Sequence, residues 1–134
     1  MKKIKVGQIG KGGFGKKILS KLENIDNVSV EWVYGSQDKW WESNDDLDWV
    51  IVASPNEFHY EQVKHYLQNG VNVFCEKPAT LANYSLDELI NLSKNNNVCF
   101  YVDDVLVYED ILPINNFIYK KWGGLSANII DRMA

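Results

Sequence analysis

Residues 3–25 read KIKVGQIGKGGFGKKILSKLENI. A strand-like run, KIKVGQI, stops at Gly10, and a helical pattern follows with Ile18, Leu19, Leu22 and Ile25 on one side. Between them Gly10, Gly12 and Gly15 are spaced G-x-G-x-x-G. In a strand–turn–helix unit each glycine has a physical task. The first allows the tight turn, the second lets a pyrophosphate approach the backbone, and the third lets helix and strand pack closely. The helix N-terminus adds free N–H groups and partial positive charge. The spacing predicts a phosphate cradle over Gly10, Lys11, Gly12, Gly13, Phe14 and Gly15. It also suits a tight strand-to-helix turn that holds no ligand, so the loop alone leaves both readings open.

Outward from this unit, strands and helices alternate. VSVEWVYG (28–35) reads as a second strand and WVIVA (49–53) as a short, fully apolar one of the kind buried in parallel sheets. EFHYEQVKHYLQNG (57–70) reads as a helix closed by Gly70. VNVFC (71–75) is a fourth strand. Ser85 and Glu88 form an S-x-x-E capping box that opens LDELINLSK, and VCFYV (98–102) is a fifth strand. A helical stripe of Ile114, Phe117 and Ile118 follows Pro113 and stops at Gly123-Gly124, after which LSANIIDRM reads as a last strand. The expected fold is α/β: a Rossmann-like, mainly parallel sheet with helices on both faces. It is shortened after the second strand. SQDKWWESNDDLD (36–48) is too short for the extra helix and strand that a regular doubly wound domain carries there. Trp40 and Trp41 in that segment either cover exposed sheet or stack on an adenine. The expected domain runs over 1–124, and 125–134 would begin a second sheet.

Carboxyl ends of parallel strands open on the ligand crevice. Ser54, Pro55 and Asn56 follow the third strand, where Asn56 either meets a ligand or caps the next helix. His59, in the first helical turn, reads as a structural histidine ahead of a catalytic one. Glu76 and Lys77 leave the fourth strand, and Pro78 stops it. Three loops thus converge on one edge. A lysine there is a proton-transfer candidate, because burial and nearby positive charge lower the affinity of its amine for a proton.

Composition excludes several function classes. The chain has 134 residues, room for one core, with 46% apolar residues and a net charge of −4. Basic residues are scattered, so no nucleic-acid surface is expected. No apolar stretch approaches the ~20 residues that span a bilayer, and the basic start runs into glycines rather than a signal-peptide core. A cytoplasmic location without a membrane partner is expected. Cys75 and Cys99 have no metal-ligand spacing and read as two reduced, buried thiols; no metal site is expected.

VIVASPNEFHYEQVKHYLQNGVNVFCEKPAT (50–80), together with the glycine loop, resembles the Gfo/Idh/MocA oxidoreductases. Their Rossmann domain carries a strand, a P-N loop, a helix ending in Gly, and a strand ending in E-K-P. The resemblance implies hydride transfer between a nicotinamide dinucleotide and a sugar or cyclitol hydroxyl. It implies Lys77 as general acid/base and Glu76 beside the nicotinamide ribose, with a Lys77–Pro78 bond that is often cis. The family's substrate-binding second domain is not expected within these 134 residues, and Asp103-Asp104 stand where relatives often carry Asn-Arg or Asp-His.

Two alternatives stay open beside an oxidoreductase or its cofactor-binding part. One is a non-catalytic nucleotide-binding remnant that acts as a sensor or partner; the other is a scaffold with an empty crevice. Cofactor choice leans to NADP over NAD. The acid that usually binds the ribose 2′-OH at the end of the second strand is replaced by Gly35 and Ser36, and Lys39 offers positive charge, although Asp38 lies close enough to oppose the preference. The lone strand LSANIIDRM and the apolar face near Phe117 and Trp122 predict a homo-oligomer.

Overall fold

WVIV, at Trp49–Val52, is buried at all four positions, which only a strand covered on both faces achieves. It is the middle of the sheet. The computed structural model describes residues 2–43 and 46–103. In chain order these are β1 (Ile4–Ile9), α1 (Gly13–Glu23), β2 (Val28–Tyr34), a 3₁₀ turn (Trp40–Glu42), β3 (Trp49–Val52), α2 (Asn56–Gln68), β4 (Asn72–Glu76), α3 (Asn83–Asn95) and β5 (Phe100–Asp103). The readings that rest on residues 104–134 lie outside the described residues. These are the Pro113–Trp122 helix, the last strand, the domain boundary, Asp104 and the self-association surface.

The five strands stand in the order β2-β1-β3-β4-β5, and the pairs β1–β2, β1–β3 and β3–β4 are parallel. Right-handed crossovers place α1 on one face and α2 and α3 on the other. α1 accordingly touches β1 and β2, while α2 touches β3, β4 and α3. This is the expected Rossmann-like α/β fold.

The shortened segment is now explained. β2 reaches β3 across β1 through one 3₁₀ turn, in place of a helix and a strand. Aromatic side chains cover the sheet instead. Trp40 is buried, sits edge-on to His65, and receives a hydrogen bond on its carbonyl from the Tyr66 hydroxyl at 2.9 Å. Trp32 stacks on Tyr34 at 4.6 Å between centroids, and its indole occupies the space a Cβ on Gly7 would take. Of the two readings of the tryptophan pair, Trp40 is cover for the core; Trp41 remains 48% exposed.

α2 buries His59, Gln62, Val63, Tyr66 and Leu67, a stripe at helical spacing. Val63 and Leu67 pack with Ile9, Val50, Val52, Val73 and Leu89, and each such side chain contributes about 1.5–3 kcal/mol by burial. The stripe turns polar toward its N-terminus, at the sheet's carboxyl edge. Gly70, at φ +76°, closes the helix in the left-handed region, as its place after the pattern implies.

Three local expectations fail. α3 starts at Asn83 with Ala82 as its cap residue, so Ser85 lies inside the helix and forms no capping box. Glu88 instead turns to α2, where it accepts from Tyr60 at 2.6 Å and pairs with Lys64 at 2.9 Å. Asn56 is not a cap either, because Pro55 holds that position without a side-chain bond. Cys75 is buried as expected, whereas Cys99 is only half-buried.

Candidate functional site

Register builds the site. Ile9 stands level with Tyr34 on one side and Val52 on the other, and Val52 stands level with Cys75. The chain therefore leaves β1, β2, β3 and β4 at one height, and Gly10, Gly35, Ala53 and Glu76 share one edge. The loops expected to converge do so.

The glycine loop has the shape of an anion cradle. Gly10 has φ +119°, and any Cβ there would collide with the Ala53 backbone. A Cβ on Gly15 would lie 2.5 Å from the Gly10 carbonyl, so the third glycine lets α1 rest on the turn. Gly12 and Gly13 face open space. Gly12 caps α1 with no side-chain bond, and the first turn carries no acid. Uncapped N–H groups at the start of a helix, beneath open space, suit a phosphate. Lys11 and Phe14 stand exposed in the same loop, Phe14 at 41%.

One residue that sequence reasoning missed holds this loop. Gln8, fully buried in β1, donates through Nε2 to the Gly10 carbonyl at 3.1 Å and the Gly15 carbonyl at 2.8 Å. The available signal was an amide inside an otherwise apolar strand.

At the end of β2, Asp38 folds back. Its Oδ2 accepts from the Gly35 N–H at 2.6 Å and lies 3.6 Å from Lys11 Nζ. Both side chains of that ion pair are at least half exposed, so it is weak. A carboxylate thus stands beside the strand end after all, displaced by a short turn. Ser36 lies half-buried in that turn, and Lys39 faces Glu42 at 3.8 Å.

At the end of β3 the expectation is met in part. Pro55 and Asn56 are exposed at the edge, but Ser54 is buried and its hydroxyl donates to Gln62 Oε1. Among the described residues Gln62 Nε2 and Gln8 Oε1 meet no hydrogen-bond partner. His59 is fully buried, its Nε2 2.6 Å from the Ser54 carbonyl and its Nδ1 2.7 Å from the Pro78 carbonyl. Glu76 ends β4 half-buried, Lys77 is exposed, and the Lys77–Pro78 peptide bond is cis. Burial, and secondarily the Glu76 charge, push the Cys75 thiol far up, which keeps it an unreactive core residue. Among the described residues no group of three or more His, Cys, Asp or Glu could hold a metal ion, and no helix is long and apolar enough to cross a membrane.

Comparison with known proteins gives one consistent picture. The profile of the GFO_IDH_MocA oxidoreductase family, NAD-binding Rossmann fold, matches residues 21–104, beginning after the glycine loop. An uncharacterized oxidoreductase of Streptococcus pneumoniae serotype 4 is 32% identical over 120 residues, covering 77% of this chain and 32% of its own length. The scyllo-inositol 2-dehydrogenase (NADP(+)) of Bacillus subtilis is 38% identical over 56 residues, covering 42% of this chain and 17% of its own. The crystal structure of an NAD-binding protein from Listeria innocua superposes with a TM-score of 0.73 at 24% identity, over 90% of this chain and 40% of that one. The chain spans a third or less of these curated relatives.

Proposed function

The chain belongs to the Gfo/Idh/MocA oxidoreductase family, and we propose that it binds a nicotinamide dinucleotide for hydride exchange with a sugar- or cyclitol-type hydroxyl. The observation that carries this reading is the shared height of the four strand ends, which gathers the glycine loop, Pro55-Asn56 and Glu76-Lys77 on one edge. Gly10 to Gly15 and the uncapped start of α1 would hold the pyrophosphate. Pro55, Asn56 and the Ser54 backbone would border the nicotinamide half, with Glu76 toward its ribose. The nicotinamide supplies the hydride acceptor or donor when bound. Lys77 Nζ, exposed at the same edge, would take the proton from the substrate hydroxyl or return it in the reverse direction. The Bacillus subtilis relative, named for a cyclitol, supports this substrate class.

Cofactor choice changes once Asp38 is located. The lean to NADP rested on a missing acid and on Lys39. With Asp38 Oδ2 on the Gly35 N–H and Lys39 facing Glu42, the balance moves to NAD. A carboxylate there accepts from a ribose 2′-OH and repels a 2′-phosphate. The NADP(+) in the Bacillus subtilis relative's name belongs to that protein.

The test has two parts. Calorimetric titration with NAD and NADP asks whether the chain binds either; no binding of either overturns the reading. Hydride transfer from a panel of cyclitols and sugars, followed at the nicotinamide absorbance, tests the chemistry. Lys77→Met should then lower turnover by about 10²–10⁴-fold with little change in cofactor Kd. A non-catalytic nucleotide binder would pass the titration and show no turnover.

A further inference from the structure

His59 is fully buried, and both of its ring nitrogens meet backbone carbonyl oxygens: Nε2 that of Ser54 at 2.6 Å, Nδ1 that of Pro78 at 2.7 Å. A carbonyl can only accept. The ring donates to at least one of these oxygens, and which nitrogen carries the hydrogen follows from the tautomer. The two carbonyls belong to different loops. Ser54 closes the exit from β3, and Pro78 follows Lys77 at the exit from β4.

We infer that His59 is a positioning residue, a strut that ties the Ser54–Asn56 loop to the Lys77–Pro78 turn and sets Lys77 relative to the nicotinamide half of the cofactor. This role rests on the dinucleotide reading above. The strut acts on the nicotinamide side of the crevice. The glycine loop, braced by Gln8, does not depend on it.

The positioning role is tested by titrating His59→Ala with NAD and with ADP, which reaches only the adenosine and pyrophosphate side. NAD affinity should fall about tenfold, the size of one lost buried hydrogen bond, while ADP affinity stays within about twofold. Equal losses for both ligands would mark a general structural defect and overturn the role. Should the alanine variant not fold, His59→Gln, whose amide cannot span both carbonyls, should show the same contrast. Wild-type protein that binds neither ligand would overturn the dinucleotide reading, and the positioning role with it.

Discussion

Gln8 donates its side-chain amide to the carbonyl of Gly15 at 2.8 Å, joining the interior of β1 to the first turn of α1 across the glycine loop. The same nitrogen reaches the Gly10 carbonyl at 3.1 Å, so one buried amide fixes both ends of the loop. Gln8→Leu keeps the volume and removes both bonds. It should destabilise the chain by about 1–3 kcal/mol in urea titration. Gln8→Glu should cost more, because a carboxylate oxygen would face two carbonyls in a buried site. A glutamate variant as stable as wild type would show that the amide does not hold the loop.

Gly12 and Gly15 should separate binding from folding. Gly12 has ordinary backbone angles, φ −72° and ψ −171°, and open space where a side chain would go. Gly12→Val should therefore lose no more than about 1 kcal/mol, as a poorer helix cap. Its side chain enters the proposed phosphate path, so nucleotide affinity should drop by roughly tenfold or more. Gly15→Ala pushes a methyl group onto the Gly10 carbonyl and should cost about 1–3 kcal/mol of stability. Thermal melts and calorimetry on the same samples check both halves.

Asp38 and Lys39 are neighbours with opposite expectations. Asp38→Ser removes the carboxylate beside Gly35 and should move the ratio of NAD to NADP dissociation constants toward NADP by roughly tenfold. Lys39→Ala should leave the ratio unchanged, because Lys39 faces Glu42 at the surface. If the lysine variant moves the ratio and the aspartate variant does not, NADP preference through Lys39 is restored.

The contact between α2 and α3 carries a pH signature. The Tyr60 hydrogen bond, and after it Lys64, hold the Glu88 carboxyl below the ordinary glutamate range. A carboxyl depressed in the folded state stabilises above its unfolded value and loses that contribution as pH falls through its folded value. Glu88→Gln should thus be slightly less stable than wild type at neutral pH, and the gap should close in acid. The group is at the surface, so the gap will be small and will shrink with salt. Urea midpoints at neutral and acid pH, at two salt concentrations, measure it.

Much of this architecture was legible because its signals are local. Glycine spacing between a strand pattern and a helix pattern needs no partner to be read, and the four buried residues of β3 announce a central strand. The segment between Gly35 and Trp49 was legible as a deletion, since a chain that short cannot hold a helix and a strand. Its replacement by aromatic cover was legible as one of two readings, but the division of labour between the two tryptophans was not. That Trp40 covers the core while Trp41 stays exposed depends on α2, whose His65 and Tyr66 receive the indole. The S-x-x-E pattern at Ser85 misled for the same reason: Glu88 found a better partner in Tyr60 and Lys64 on another helix than in its own backbone.

Sequence by itself determined the order of elements, the cradle and the edge of the sheet at which chemistry could gather, because hydrophobic period, glycine spacing and strand ends act within a few residues. Only tertiary structure decided what Gln8 and His59 do. Each is a buried polar side chain whose partner lies in another element: Gly15 in α1, and Pro78 beyond the end of β4. A buried polar group must find a partner, and which partner it finds is a matter of distance in space that distance along the chain does not encode.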